Sequence, residues 1–99
     1  MKNFISYIKN KLADFWKDKP VKKAYVFGSI ARGDFTSDSD IDILVEWDKD
    51  RLIGMIEYIK IMDSLENIFN KKIDLVATDG ISEHFKSIID KEKILIYEA

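Results

Sequence analysis

The sequence predicts a small α/β or α+β fold, a β-sheet with helices packed on one face. Three observations carry that prediction. Apolar residues recur at helical spacing over 3–18 and again over 52–69. Short apolar-rich runs at 22–27, 41–47, 72–77 and 94–97 read as strands and fall between the helical segments. The resulting order is helix, strand, brief helical turn, strand, helix, strand, short helix, strand, which is the pattern of a sheet covered by helices. Ninety-nine residues, 46% apolar and 34% charged, suit one domain spanning 1–99 with one modest core.

Each element has a local reason. Phe4, Ile5, Ile8, Leu12, Phe15 and Trp16 form one stripe of the first helix, and Lys19-Pro20 ends it because the residue before proline avoids helical torsions. Gly28-Ser29 is the turn out of the first strand, and Ile30-Ala31-Arg32 make a brief helical turn. Residues 33–39, rich in Asp, Ser and Thr, are loop. The second strand follows. In the longest helix Leu52, Met55, Ile56, Tyr58, Ile59, Ile61, Met62, Leu65, Ile68 and Phe69 cover about half the circumference. Most of that stripe reads as core and one edge as a partner contact; Phe15, Trp16 and Trp47 raise the same question. Ser82 caps a short helix running to about Asp90, with Glu83 in its first turn.

Strand parity places the acidic residues. On the second strand Ile41, Ile43 and Val45 share one face, and Asp40, Asp42 and Leu44 share the other. On the third, Ile73 and Leu75 lie opposite Asp74. With the apolar faces under the helices, Asp40, Asp42 and Asp74 point together onto the open side of the sheet. Three carboxylates there repel one another, and a metal ion is the natural counter-charge.

Composition removes several function classes. Net charge is −2, so no global field draws the chain to nucleic acid, and Lys/Arg clusters suited to phosphate backbones are missing. The acids Asp34, Asp38, Asp40, Asp42, Glu46 and Asp48 crowd one span. There is no cysteine, which excludes disulfides and thiolate metal sites. No signal peptide and no run of membrane-spanning length is visible, so the expected location is cytoplasmic, with no membrane partner.

Gly28-Ser29 followed after ten residues by Asp40-Ile41-Asp42 joins a turn that can grip phosphate to a pair that can hold a divalent cation. Gly28 permits close backbone approach, and Ser29 adds a hydroxyl and an N–H. Asp40 and Asp42 suit Mg²⁺, a hard ion that prefers carboxylate and phosphate oxygens. Two such ions, about 3.5–4 Å apart, can clamp the entering and leaving oxygens of a displacement. Asp74 would complete the metal site or act as base. This frame, with the third carboxylate in Lys72-Ile73-Asp74-Leu75-Val76, resembles the signature of the DNA polymerase β-like nucleotidyltransferase superfamily. The ARGD and SDSDID details resemble its minimal nucleotidyltransferases, the MNT group, from about residue 22 to the C-terminus.

The resemblance implies a polymerase β-like palm fold with a small mixed sheet. It implies Mg²⁺, two ions in full, ATP as substrate, and transfer of AMP to an acceptor hydroxyl. Asp40, Asp42 and Asp74 would be catalytic and metal-binding, and Gly28, Ser29 and Arg32 nucleotide-binding. It also implies a nearby-encoded HEPN-domain partner, often a toxin, whose tyrosine accepts AMP; homo- or hetero-oligomers both fit. Larger relatives carry a further domain for the acceptor, so a partner or a second copy is expected to supply that surface. Alternatives are a non-catalytic module that neutralises a HEPN partner by contact, and transfer to a small molecule or an RNA 3′ end. Arg32 is balanced between phosphate contact and a surface pair with Asp34. Asp34 and Asp38 read as loop caps, His84 as a surface residue, and Lys22-Lys23 and Lys71-Lys72 as solubilising edge residues.

Overall fold

The computed structural model describes residues 2–49 and 53–99. Four strands, β1 (Val21–Phe27), β2 (Ile41–Trp47), β3 (Ile73–Ala77) and β4 (Ile94–Glu98), form one sheet in the order β3-β2-β1-β4. β2 and β3 are parallel, while β1 is antiparallel to both of its neighbours, so the sheet is mixed. The helices are α1 (Lys2–Lys11), α2 (Ser29–Arg32), α3 (Met55–Phe69) and α4 (Glu83–Glu92). No helix among the described residues is long and apolar enough to cross a membrane.

β2 has the predicted bounds, and the other strands differ from expectation by a residue at an end. The expected start of α3 at Leu52 lies outside the described residues; the helix begins at Met55. It ends at Asn70, whose left-handed torsions (φ 51°) close the last turn. The first helix stops earlier than its periodicity predicts. After Lys11 the bonding tightens to Ala13 N–H→Asn10 O and Phe15 N–H→Leu12 O, and Phe15–Asp18 form a 3₁₀ turn. That turn places Trp16 wholly inside the core. Lys19, before Pro20, is extended as expected. A second 3₁₀ turn, Thr78–Gly80, falls where no element was predicted.

Parity sorts the core. Ile41, Ile43 and Val45 of β2, with Ile73 and Leu75 of β3 and Ala24 and Val26 of β1, pack under Ile8 of α1, Leu12 just beyond it, and Ile61 and Leu65 of α3. Of the apolar stripe on α3, Ile61 and Leu65 are buried, whereas Met55, Ile56 and Ile59 form an exposed edge. The opposite sheet face is not wholly open: Phe27, Leu44 and Ile89 of α4 make a second buried cluster, with Tyr25, Val76 and Ile81 against it. The sequence predicts α4 as a short helix capped by Ser82, and the structure adds that it joins the core. One buried residue, Ile89, supplies the anchor, and a single residue leaves no periodic signal. Ser82 caps the helix, its Oγ accepting from Phe85 N–H at 3.3 Å.

The double-sided burial of β2 is testable. Leu44→Ala should cost about 2–4 kcal/mol in urea denaturation, the scale for truncating a buried leucine. A loss under about 1 kcal/mol would mean that α4 does not cover this face.

Candidate active site

The acidic residues lie at the N-terminal ends of the parallel pair. Asp42 and Asp74 are direct cross-strand partners in the β2–β3 ladder. Asp40 precedes β2 with the same parity as Asp42. Asp40 and Asp74 are exposed and Asp42 is half-buried. Burial first, then the neighbouring charges of Asp74 and Asp40, pushes the Asp42 carboxyl up to about 6, against the pull of Arg32. A carboxylate partly removed from water beside two like charges resists ionisation.

The Gly28-Ser29 turn meets this cluster. Phe27, the last residue of β1, pairs with Asp42 in the antiparallel ladder, so the chain leaves β1 directly beside that carboxylate. Gly28 has φ 74° and ψ −150°, torsions that are essentially restricted to glycine. A methyl group placed on it would lie 2.0 Å from Asp42 Oδ2 and 3.0 Å from its Cγ. Glycine is therefore required twice, for torsion and for room. Ser29 opens α2, and Gly33, at φ 84°, closes it.

Arg32 is engaged on the surface. Its Nε donates to Asp34 Oδ2 at 3.3 Å, and its Nη1 faces both oxygens of Glu92, at 3.4 and 3.2 Å. Asp34 is thus an ion-pair partner. The loop is held by Ser39 and Thr36 side chains, which accept from Thr36 N–H (2.8 Å) and Asp38 N–H (3.3 Å); Asp38 contributes no side-chain cap there. His84 is exposed, as expected.

Two residues near the site were missed in the sequence. Lys71 donates from Nζ to Ser37 O at 2.5 Å and to Ser39 O at 3.4 Å, tethering the loop that delivers Asp40. Glu92 accepts from Gly28 N–H at 2.9 Å across 64 residues of chain. Lys71 looked like half of a solubilising pair. Glu92 had one faint mark: it is an acid in the last turn of a helix, where the dipole disfavours negative charge.

The donor set fits Mg²⁺ delivered with a phosphate. Among the described residues no three His, Cys, Asp or Glu side chains are gathered closely enough to enclose a cation by themselves. Mg²⁺ commonly takes only one or two carboxylates and completes its shell with phosphate and water. Asp42 and Asp74 in register, with Asp40 beside them, match that demand in oxygen type and charge. A cavity of about 650 Å³ lined by Trp47, Met55, Tyr58, Thr78 and Asp79 opens at the other end of the β2–β3 pair. Glu46 and Asp48 line it, but Asp40, Asp42 and Asp74 do not.

A family model described as polymerase beta, nucleotidyltransferase, matches residues 10–99. The chain belongs to the polymerase β nucleotidyltransferase family. It is similar to a Methanocaldococcus jannaschii protein named "Putative protein adenylyltransferase MJ1379", 37% identical over 94 residues, 93% of this chain and 94% of that protein. A chain in a crystal structure described as a toxin-antitoxin with AMP-PNP superposes with a TM-score of 0.77 at 22% identity, covering 92% of this chain and 73% of that one. A chain in a structure of tri-AMPylated Shewanella oneidensis HEPN toxin in complex with MNT antitoxin gives 0.71 at 18% identity, covering 96% and 73%. At these identities the two solved structures establish the shared fold. The chain is also similar to the Thermococcus cleftensis protein named "Protein adenylyltransferase MntA", 28% identical over 76 residues, 77% of this chain and 75% of that protein.

Two outcomes follow from the geometry. Gly28→Ala should destabilise the fold by about 1–3 kcal/mol through its torsion alone, and should displace Asp42; a variant with unchanged Tm would contradict the close approach. For Asp42, the folded-state value near 6 lies above the ordinary 3.8. The native state then holds the extra proton between those values, and stability falls as pH rises through about 4 to 6. Asp42→Asn should remove that loss, stabilising the nucleotide-free chain at pH 7 by about 1–2 kcal/mol once partial solvent screening is allowed for. Parallel urea titrations at pH 4.5 and 7 check this, and equal differences at both pH values would count against it.

Proposed function

We propose that this nucleotidyltransferase moves AMP from ATP to an acceptor hydroxyl, a tyrosine of a HEPN-domain protein. The observation that carries the reading is the placement of Asp42 and Asp74 side by side, with Asp40 adjacent, against the Gly28-Ser29 turn. Relatives named protein adenylyltransferases and a fold neighbour solved with an AMPylated HEPN toxin support it.

Ser29 would meet the triphosphate with its hydroxyl and N–H, and Gly28 allows the phosphates to come close to backbone. Asp40, Asp42 and Asp74 would hold Mg²⁺, two ions in full, which when bound neutralises phosphate charge and acidifies the acceptor hydroxyl. The acceptor oxygen bonds to the α-phosphorus as the bond from that phosphorus to its bridging oxygen breaks. Pyrophosphate leaves with the electron pair, and the hydroxyl proton passes to Asp74. Asp42 must be ionised to hold a cation, so nucleotide binding should strengthen as pH rises through about 6.

A second reading is neutralisation of a HEPN partner by contact alone. It is favoured by the exposed edge of α3, where Met55 and Ile56 are each 72% and Ile59 42% accessible. Incubation with Mg²⁺, α-labelled ATP and a HEPN protein separates the two. Label should appear on the HEPN protein and fall by about 10²-fold or more in Asp40→Ala/Asp42→Ala, the scale for losing preorganised electrostatic contacts. Co-elution of the two proteins without any label would overturn the transfer reading in favour of contact.

A further inference from the structure

We infer that Glu92 is a positioning residue for the nucleotide-gripping turn: its carboxylate fixes Gly28-Ser29 and Arg32 relative to Asp42. This rests on the nucleotidyl-transfer reading above. Glu92 Oε1 accepts from Gly28 N–H at 2.9 Å, and the same carboxylate faces Arg32 Nη1 at 3.4 and 3.2 Å. One side chain therefore holds both ends of α2, Gly28 before its first residue and Arg32 as its last. The Glu92 side chain is only 17% accessible, so its bond from Gly28 N–H is partly shielded from water, where a charge-assisted contact is stronger, while its pair with Arg32 lies at the surface.

Glu92 is itself held from two sides. One helical turn earlier, Ile89 is fully buried against Phe27 and Leu44. Two residues later β4 begins and pairs with β1 through Val26↔Ile94. The carboxylate is thus pinned to the strand that precedes the turn and to the helix that covers the same sheet face as Asp42.

The turn needs such a restraint. Gly28 is the most permissive residue, yet it must keep φ near 74° with its Cα against the Asp42 carboxylate. Its N–H is given to Glu92, which leaves Ser29 as the phosphate donor of the pair. Arg32, also turned to Asp34 at 3.3 Å, is then part of the buttress and not a phosphate ligand.

The test compares wild-type chain with Glu92→Ala, Glu92→Asp and Glu92→Gln. Steady-state transfer should show KM for ATP about tenfold or more higher in Glu92→Ala, with kcat within about threefold, the scale expected for a lost charge-assisted bond that orients a binding element. Glu92→Gln keeps an oxygen for Gly28 N–H and should restore KM to within about threefold of wild type. Glu92→Asp keeps the charge but falls one methylene short, and should move KM in the same direction as alanine; it decides the matter if Glu92→Ala does not fold. Independently of turnover, the Gly28 amide proton should move upfield in ¹⁵N–¹H spectra of Glu92→Ala. Calorimetry with Mg²⁺ and a non-hydrolysable ATP analogue should show Kd rising with KM. A fall in kcat with KM unchanged would indicate lost folded fraction and overturn the proposal, as would an unmoved Gly28 resonance. A wild-type chain that binds the analogue without transferring AMP overturns the transfer reading alone, because Kd and the Gly28 resonance still judge Glu92. A wild-type chain that binds no analogue overturns both.

Discussion

The contact between Gly28 and the Asp42 carboxylate is the constraint on which the site depends. It exists because Phe27 and Asp42 are partners in the β1–β2 ladder, so the chain turns out of β1 against the side chain that β2 presents there. A slip of one residue in that register would send Asp42 into the main core and bring Ile43 to the turn. Burial forbids it: Ile41, Ile43 and Val45 are fully inside. The hydrophobic pattern of β2 therefore fixes where the carboxylate stands, and the missing side chain of Gly28 lets the turn close on it.

The same arrangement stores electrostatic strain. Asp42 is driven toward its neutral form by burial and by Asp74 and Asp40. An apolar residue at that position would serve the fold better, since nothing in the core gains from the charge. Strain of this kind is tolerated because the supporting layer is independent of it. α1, the 3₁₀ segment after it and α3 cover the opposite sheet face, with Ile8, Leu12, Trp16, Ile61 and Leu65 all at or near zero exposure. A cation brought in with phosphates would relieve the repulsion, and a site built this way gains affinity for such a complex from the discomfort of its own carboxylates.

How much of this was legible in the sequence depended on the range of the interaction. β2 could be bounded to the residue because its alternation is local and its ends are marked by Asp40 and Asp48. The shared face of Asp42 and Asp74 followed from parity on two strands without knowledge of their pairing, and the ladder then placed them side by side. The break after Lys11 was not legible, since the apolar spacing continues unbroken through Trp16 while the backbone tightens to bring the indole inward. Lys71 and Glu92 were missed for a different reason. Each acts through a few long-range polar contacts, Lys71 with Ser37 and Ser39 and Glu92 with Gly28 and Arg32, and periodicity carries no trace of polar contacts between distant segments. Arg32 makes the ion pair with Asp34 that its spacing allows, and Glu92 is a second partner that spacing could not supply.

Helix α4 then has a meaning that its own sequence conceals. It is polar along most of its length and buries one residue, Ile89, so by burial alone it adds little to the core. Its position is what matters: it lies on the sheet face that carries the acids, and its last residue reaches back to the first turn of the site. A helix held by one buried residue, the edge of Phe85 on Phe27 and a carboxylate is a lightly bound element. The geometry of the Gly28-Ser29 turn is consequently coupled to how firmly α4 sits on Phe27 and Leu44. Anything that shifts α4 would act on Gly28 through Glu92 without touching the carboxylates.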